Sequence, residues 1–141
     1  MSIEDYILAF LKTAEEEKVI VTPIRLQKTF FLLEKEKGID LKLNFEPFFF
    51  GPYSEKLTNI MYELGKQGLI VIKHKEVINP LDKFFWGYAE TYELGKNVEI
   101  IVSEDILSFF RDWIKKDKNE ILKYIEEKYP EYFGIGPIQS R

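Results

Sequence analysis

The chain contains no cysteine, and it contains a single histidine. The absence of cysteine excludes disulfide bonds, thiolate nucleophiles and cysteine-ligated metal sites. His74 would need carboxylates to complete a zinc site, so we do not predict that it binds metal. The sequence also lacks the H-E-x-x-H, G-x-S-x-G and glycine-rich phosphate-loop motifs of common enzyme classes. We therefore predict a non-enzymatic protein without a cofactor.

Long apolar runs are missing as well. Runs such as 30–33 and 69–72 are far shorter than the roughly 20 residues that span a bilayer as a helix. The N-terminus, Met-Ser-Ile-Glu-Asp, does not show the basic and then apolar pattern of a secretion signal. These features predict a cytoplasmic protein that does not enter the membrane.

Aromatic side chains and mixed charges are abundant. Hydrophobic residues make up 45% of the chain and aromatic residues 16%, which favours a folded domain over a disordered chain. Twenty basic residues against 24 acidic ones give a net charge of −4. This balance argues against nonspecific nucleic-acid binding over the whole surface but allows a local basic patch. At 141 residues, we expect one domain over 1–141.

Apolar periodicity predicts a helix-rich α+β domain with a small antiparallel sheet. The predicted elements are a helix over 3–17, a helix over 23–37, a strand over 41–45, a helix over 54–68, a buried strand over 69–72, a long hairpin tip over 73–84, a strand over 85–94 and two C-terminal helices that begin at Ser103 and Asp117. Thr22 and Pro23 form a strong helix start, and Gly38 a left-handed stop. Capping boxes are predicted for Ser2 with Asp5 and for Asp117 with Glu120, and Pro130 should end the last helix. Asn79-Pro80 marks the turn of the hairpin tip, and 134–137 is predicted to be a loose tail. A helix followed by a hairpin is the order of elements in a winged-helix domain.

The most distinctive segment is 45–57, which sets five aromatic residues around a Gly-Pro break. Phe48, Phe49 and Phe50 are consecutive, and in a strand they cannot all face one side, so at least one should point away from the core. Together with Tyr53 they are candidates for a partner-binding patch, because aromatic residues concentrate at interface hot spots. The alternative is that they build the core beneath the second and third helices.

Gln27 lies among apolar neighbours on the second helix, and a buried amide needs hydrogen-bond partners. We expect it to order the Gly51-Pro52 turn by hydrogen bonding to the carbonyls of that turn. The turn residues are Gly51, Pro52, Tyr53 and Ser54. The alternative is that Gln27 and Lys28 belong to a solvated helix face. At Ser54, capping of the third helix by the hydroxyl is favoured over an anion site at the helix start.

A small basic cluster lies where a wing would begin. The candidate nucleic-acid contacts are Lys73, His74, Lys75 and, on the far side of the hairpin, Lys83. Such residues would contact DNA phosphates despite the negative net charge. The alternative is a solvated hairpin tip whose lysines protect a sheet edge. Roughly 15 residues separate the second and third helices, whereas a helix-turn-helix uses about 3–4, which argues against DNA binding.

Three stretches together resemble a known family. They are Leu26-Gln27-Lys28, the Phe-Phe-Gly-Pro-Tyr-Ser turn over 49–54, and Leu-Lys-Tyr-Ile-Glu-Glu-Lys-Tyr-Pro over 122–130. In this combination, residues 22–132 resemble the YwgA-like proteins, which are related to the Panacea (SocA-like) antitoxin domain. The resemblance implies a compact α+β domain used in toxin neutralisation, proteolytic adaptor roles or transcriptional control, and it implies no catalytic residues. Residues 133–141 would then form a C-terminal tail.

The hypothesis that follows is a regulatory module of the antitoxin or adaptor type that binds a protein partner. A winged-helix-like transcriptional regulator that binds DNA is the alternative, and it would be helped by a homodimer formed through the C-terminal helices.

Overall fold

The computed structural model describes residues 1–78, 85–95 and 98–133, with the side chains of 76–78 and 85–88 excepted. The elements in these ranges are α1 (Ile3–Glu17), α2 (Pro23–Lys37), α3 (Glu55–Lys66), β1 (Ile70–Ile78), β2 (Phe85–Leu94), α4 (Glu104–Ile114), α5 (Lys118–Lys128) and a 3₁₀ turn (Pro130–Tyr132). The helix-rich α+β prediction is therefore confirmed.

Within the described ranges, no helix combines the length and the apolar character needed to cross a membrane.

Local signals determine where the first two helices begin and end. The Ser2 side chain accepts a hydrogen bond from the Asp5 amide while the Asp5 carboxylate accepts one from the Ser2 amide, which forms the predicted capping box. Thr22 Oγ1 accepts a hydrogen bond from the first turn of α2, and Gly38 follows its last residue with a left-handed φ of 65°. Both signals need only neighbouring residues, and both predictions are confirmed.

The two C-terminal helices differ in how their first turns are capped. Asp117 and Glu120 form the predicted capping box at the start of α5. Ser103 occupies the N-cap of α4, but its side chain makes no capping hydrogen bond. Pro130 follows α5 and opens the 3₁₀ turn, so the helix ends before it, as predicted.

The predicted strand over 41–45 is wrong. Lys42 and Asn44 both adopt a left-handed φ of 55°, which a strand cannot accommodate. A carboxylate replaces the partner strand, because Glu34 Oε2 accepts hydrogen bonds from the amides of Leu41 at 2.8 Å and Leu43 at 3.4 Å. The burial alternates as in a strand, with Leu43 buried and its neighbours exposed, but the backbone does not.

The hairpin is longer than the sequence predicts. β1 runs to Ile78, so the residues assigned to the hairpin tip over 73–78 belong to the strand, and its register pairs Ile70 with Leu94 and Lys75 with Ala89. Ile70 is buried but Val71 is 43% exposed, so the predicted buried strand over 69–72 is buried only in part. The predicted turn at Asn79-Pro80 and the predicted loose tail at 134–137 lie outside the described residues.

The apolar core lies between α1, α2 and α4. Phe10, Phe30 and Phe110, one from each helix, are fully buried with ring centroids 5.2–5.8 Å apart. The sheet attaches to this core through Tyr92, whose amide donates a hydrogen bond to the Val21 carbonyl at 2.9 Å. The core therefore fixes α2, and α2 in turn supports the segment that contains the candidate site.

Candidate functional site

The aromatic segment forms a closed turn between α2 and α3, which we call the phenylalanine turn (residues 46–53). Its ends are joined by two backbone hydrogen bonds of 2.9 Å, one in each direction between Glu46 and Tyr53. At its tip, the Gly51 amide donates to the Phe48 carbonyl at 3.2 Å, and Gly51 has a φ of 99° that favours glycine. The turn is therefore a defined loop.

The three consecutive phenylalanines lie on the outside of this turn. Phe48, Phe49 and Phe50 are 50%, 52% and 67% exposed, so the alternative that they build the core is wrong. The Phe48 ring contacts Phe49 and the partly buried Tyr53, with centroid distances of 5.5 and 5.6 Å. We call Phe48, Phe49 and Phe50 the aromatic surface. Single exposed apolar side chains are ordinary, but a contiguous group of large ones marks a candidate interaction site.

Gln27 lies behind this turn and is almost completely buried. Its Nε2 donates to the Ser54 carbonyl at 2.9 Å, and its Oε1 accepts from the Ser54 amide at 2.7 Å, so the amide group pairs with one residue in both directions. Nε2 also donates to Thr58 Oγ1 at 3.1 Å. Gln27 thus holds the end of the turn, although its partner is Ser54 and not the carbonyls of Gly51 and Pro52.

Ser54 connects the turn to α3. It is fully buried, and its hydroxyl accepts from the Leu57 amide at 3.0 Å while donating to the Leu43 carbonyl at 2.6 Å. Both hydrogen-bonding roles of the hydroxyl are filled by the backbone. This geometry is that of a helix N-cap, and it gives no support to an anion site at the start of α3.

Lys28 lies next to Gln27 on α2 and is also buried, so the alternative of a solvated helix face is wrong for both residues. Its side chain is 4% exposed, and its Nζ donates to the Pro52 carbonyl at 2.8 Å. Burial lowers the pKa of Lys28 to about 8 from an ordinary value of 10.5. At about 1.4 kcal/mol for each factor of ten in the proton equilibrium, this depression corresponds to a cost of about 3 kcal/mol at neutral pH.

The segment after α5 closes the other side of the turn. Phe48 forms an isolated bridge with Phe133, and its amide donates to the Tyr132 carbonyl at 3.4 Å. A Cβ atom added to Gly51 would lie 2.9 Å from Phe133 Cζ and 3.3 Å from Lys28 Cε. The glycine is therefore required both by its φ and by the closeness of these two side chains. The turn is held between α2 and the C-terminal segment.

Carboxylates pair with part of the predicted basic cluster. Of its members, Lys73, His74 and Lys75 lie exposed on β1, and Lys83 lies outside the described residues. Lys73 Nζ is 3.0 Å from Glu93 Oε2, and His74 Nε2 is 3.2 Å from Glu90 Oε1. Each carboxylate comes from the neighbouring strand β2, so two of the four candidate contacts face acidic partners.

Glu90 also joins α3 to the hairpin, in a cluster that the sequence did not reveal. Its carboxylate accepts hydrogen bonds from Tyr62 at 3.0 Å and from Tyr92 at 2.6 Å. The hydrogen bond from Tyr62 raises the pKa of that phenol, and burial together with the Glu90 carboxylate raises the pKa of Tyr92. Both phenols stay protonated at neutral pH, so the cluster is a structural link and not an activated nucleophile.

Sites for a metal or a small ligand have little support among the described residues. These residues contain no group of three or more His, Asp or Glu that could hold a metal ion. A cavity of about 330 Å³ lies between α1 and β2, with an apolar lining that includes Leu11, Val19 and Leu94. Its two carboxylates, Glu15 and Glu93, already form ion pairs with lysines at 3.6 and 3.0 Å. The remaining charged residue of the lining is Lys18, at the C-terminal end of α1.

Comparison with known proteins returns no match to a family model, to a curated protein or to a solved structure. Function therefore has to be inferred from the geometry of the phenylalanine turn.

Proposed function

We propose that this chain is a non-enzymatic regulatory module of the antitoxin or adaptor type, acting in the cytoplasm, and that a protein partner docks on the aromatic surface. The observation that carries this proposal is the exposure of Phe48, Phe49 and Phe50, each half or more exposed on a loop clamped from behind. Aromatic residues that are fixed before binding are typical of the anchors that dominate interface energetics.

The rigidity of the support matters as much as the exposure. Gln27 and Lys28 fix the turn through three hydrogen bonds of 2.7–2.9 Å to the backbone of Ser54 and Pro52. A loop that is already ordered loses less conformational entropy when a partner binds. The cost of ordering the loop is met during folding, which makes the surface suited to a specific partner.

The family resemblance supports the same proposal. Two of the three stretches behind it are Leu26-Gln27-Lys28 and the turn over 49–54, and they lie on opposite sides of one contact in the structure. Motifs that are distant in the sequence are thus parts of one structural unit. Because the resemblance to the YwgA-like and Panacea proteins is to a regulatory family, this unit is where we place the regulatory contact.

DNA binding by a winged-helix-like arrangement has less support. Lys73 and His74 are paired with Glu93 and Glu90, so a phosphate would have to displace a carboxylate from each. A phosphate-driven complex should tighten steeply as salt is lowered. We expect a gel-shift titration with duplex DNA to remain flat at low salt, and a shift that strengthens at low salt would restore the alternative.

Site-specific photocrosslinking tests the protein-interaction proposal. A benzoylphenylalanine replaces Phe49 in one variant and Ile101 in the other, because Ile101 is a 56% exposed apolar residue that is not part of the turn. In extract from the cells that make this protein, we expect a discrete cross-linked product from position 49 and none from position 101. A product at twice the chain mass would identify the occupant as a second copy, giving a homodimer. The absence of any product at position 49, or equal products at both positions, would contradict the proposal.

A further inference from the structure

Lys28 places a positive charge directly beneath the aromatic surface. Its Nζ is 2.8 Å from the Pro52 carbonyl, within the turn that carries Phe48, Phe49 and Phe50. Its Cε lies 3.3 Å from the position of a Cβ atom on Gly51, so the lysine side chain packs against the tip of the turn. A partner on the aromatic surface would therefore come close to this ammonium group.

The ammonium group has fewer partners than it can bind. A lysine offers three donors, and the described residues supply one acceptor to Lys28, the Pro52 carbonyl. No carboxylate in the described ranges forms an ion pair with it, and burial is the cause of its lowered pKa. Buried charges in proteins are normally paired. Even the exposed Lys128 has more partners, since its Nζ lies 2.8 Å from Glu36 Oε2 and 3.1 Å from the Tyr124 hydroxyl.

Holding the turn does not explain why the residue is charged. The hydrogen bond to the Pro52 carbonyl needs one donor, and a neutral side chain could supply it at a lower desolvation cost. Gln27 demonstrates this, because its amide anchors the Ser54 backbone without any charge. What an ammonium adds is a charge and two further donors, and both are suited to an anion that arrives from outside the turn.

We propose, resting on the proposed function, that the partner segment carries a carboxylate between apolar side chains, and that Lys28 binds this carboxylate while the aromatic surface binds the apolar neighbours. A single ammonium matches the charge of one carboxylate. Because Lys28 is 4% exposed, its ammonium must become accessible for this contact, while its hydrogen bond to the Pro52 carbonyl keeps the turn in place. The carboxylate accepts from the two donors that the Pro52 carbonyl leaves free.

Matched peptides test this inference. The probes are blocked hexapeptides of Leu and Phe residues with one Glu at each of the internal positions in turn, together with the same set carrying Gln. Binding is measured by calorimetry to the wild type and to Lys28→Met, Lys66→Met and Phe49→Ser. Lys66 is the matched control because it is an exposed lysine on α3, paired with Glu63.

We expect the best Glu peptide to bind the wild type about tenfold more tightly than its Gln counterpart. This ratio should fall to about one in Lys28→Met and stay unchanged in Lys66→Met, whereas Phe49→Ser should weaken both peptides equally. A ratio of one in the wild type, a ratio that survives Lys28→Met, or no binding by any peptide would each overturn the inference.

A measurement on the unmodified chain keeps the test valid if Lys28→Met does not fold. With lysine side chains labelled with ¹³C, the ε-carbon signal of Lys28 should move on addition of the Glu peptide and remain in place with the Gln peptide. Signals of other lysines moving in its place would contradict the assignment. If photocrosslinking at position 49 succeeds while the peptides show no preference for Glu, the proposed function stands and this inference alone fails.

Discussion

The protein uses phenylalanine in opposite ways in two regions that share one helix. In the core, Phe10, Phe30 and Phe110 are completely buried, and their rings pack against one another at 5.2–5.8 Å. At the phenylalanine turn, Phe49 and Phe50 are 52% and 67% exposed. The difference lies in what holds each group, because the core rings hold one another whereas the exposed rings are held through their backbone.

Beneath the turn, polar side chains are buried while the phenylalanines are exposed. On α2, Phe30 faces the core, while Gln27 and Lys28 are buried against the backbone of the turn. Burying polar groups costs free energy unless their hydrogen bonds are made, and Lys28 shows that part of this cost remains. The comparison indicates that α2 stabilises the fold on one side and positions an exposed surface on the other. Substitutions should separate these two roles.

Phe110→Ala should give the largest loss of stability. The ring is fully buried against Phe10 and Phe30, so its removal leaves a cavity that the neighbouring rings fill only in part. We expect the free energy of unfolding in urea to fall by about 3–5 kcal/mol. Phe50→Ala is the matched control on the exposed side and should change it by less than about 0.5 kcal/mol. Equal losses in the two variants would contradict the distinction between the regions.

The buried lysine should make stability depend on pH. The pKa of Lys28 is about 8 in the folded protein and 10.5 in its ordinary state, so the unfolded chain binds more protons between these values. Stability contributed by this group therefore rises as the pH increases from about 8 to 10.5, by up to about 3 kcal/mol, and is constant below pH 8.

Lys28→Met removes this dependence while leaving the other titrating groups in place. The difference in unfolding free energy between wild type and Lys28→Met, measured in urea at several pH values from 7 to 10, should shift in favour of the wild type as the pH rises. Tyrosines such as Tyr129, with a pKa raised to about 12, affect both proteins equally. A difference that stays constant across this range would show that the lysine is not buried as described.

Gly51→Ala should cost about 2 kcal/mol or more. An alanine at a φ of 99° is strained, and its Cβ atom would lie 2.9 Å from Phe133 Cζ. Gly38→Ala is the matched control, since Gly38 also has a positive φ, 65°, but no atom lies within 4 Å of the added Cβ. We expect the control to cost about 1 kcal/mol from backbone strain alone. Thermal and urea unfolding of both variants measure the contribution of the contact, which would be absent if the two losses were equal.

Features that depend on neighbouring residues were predicted more accurately than features that depend on residues far away in the sequence. The caps at Ser2, Thr22 and Asp117 depend on residues within one helical turn, and they were correct. The strand over 41–45 was wrong because its alternating leucines fit a strand equally well, while the backbone is set by the carboxylate of Glu34 from the preceding helix. Periodicity identified which residues are buried but not the backbone conformation.

The sequence predicted which residues form the turn, but not which side chains of the candidate site are exposed and which are buried. Sequence patterns identified the turn and its contact with Gln27, because a Gly-Pro break among aromatic residues is unusual. They gave no means of deciding whether Phe49 faces outward, since that depends on how far Phe133 and α2 approach the turn. The burial of Lys28 depends on the same approach, because the carbonyl that it binds belongs to Pro52, in the turn that follows α2. A solvated side chain was therefore an equally good interpretation of the sequence at this position.

Replacing the exposed rings should give the smallest change in stability and the largest change in binding. The double variant Phe49→Ser and Phe50→Ser removes apolar groups that contribute little to the folded core, so its free energy of unfolding should stay within about 0.5 kcal/mol for each substitution. Benzoylphenylalanine at Phe48 measures the binding, and its cross-linked product should disappear in the double variant. Ile20→Ser, at a 71% exposed apolar residue outside the turn, should leave the product intact. A loss of several kcal/mol in the double variant would mean that these rings hold the turn together, and the division of α2 between stability and recognition would then fail.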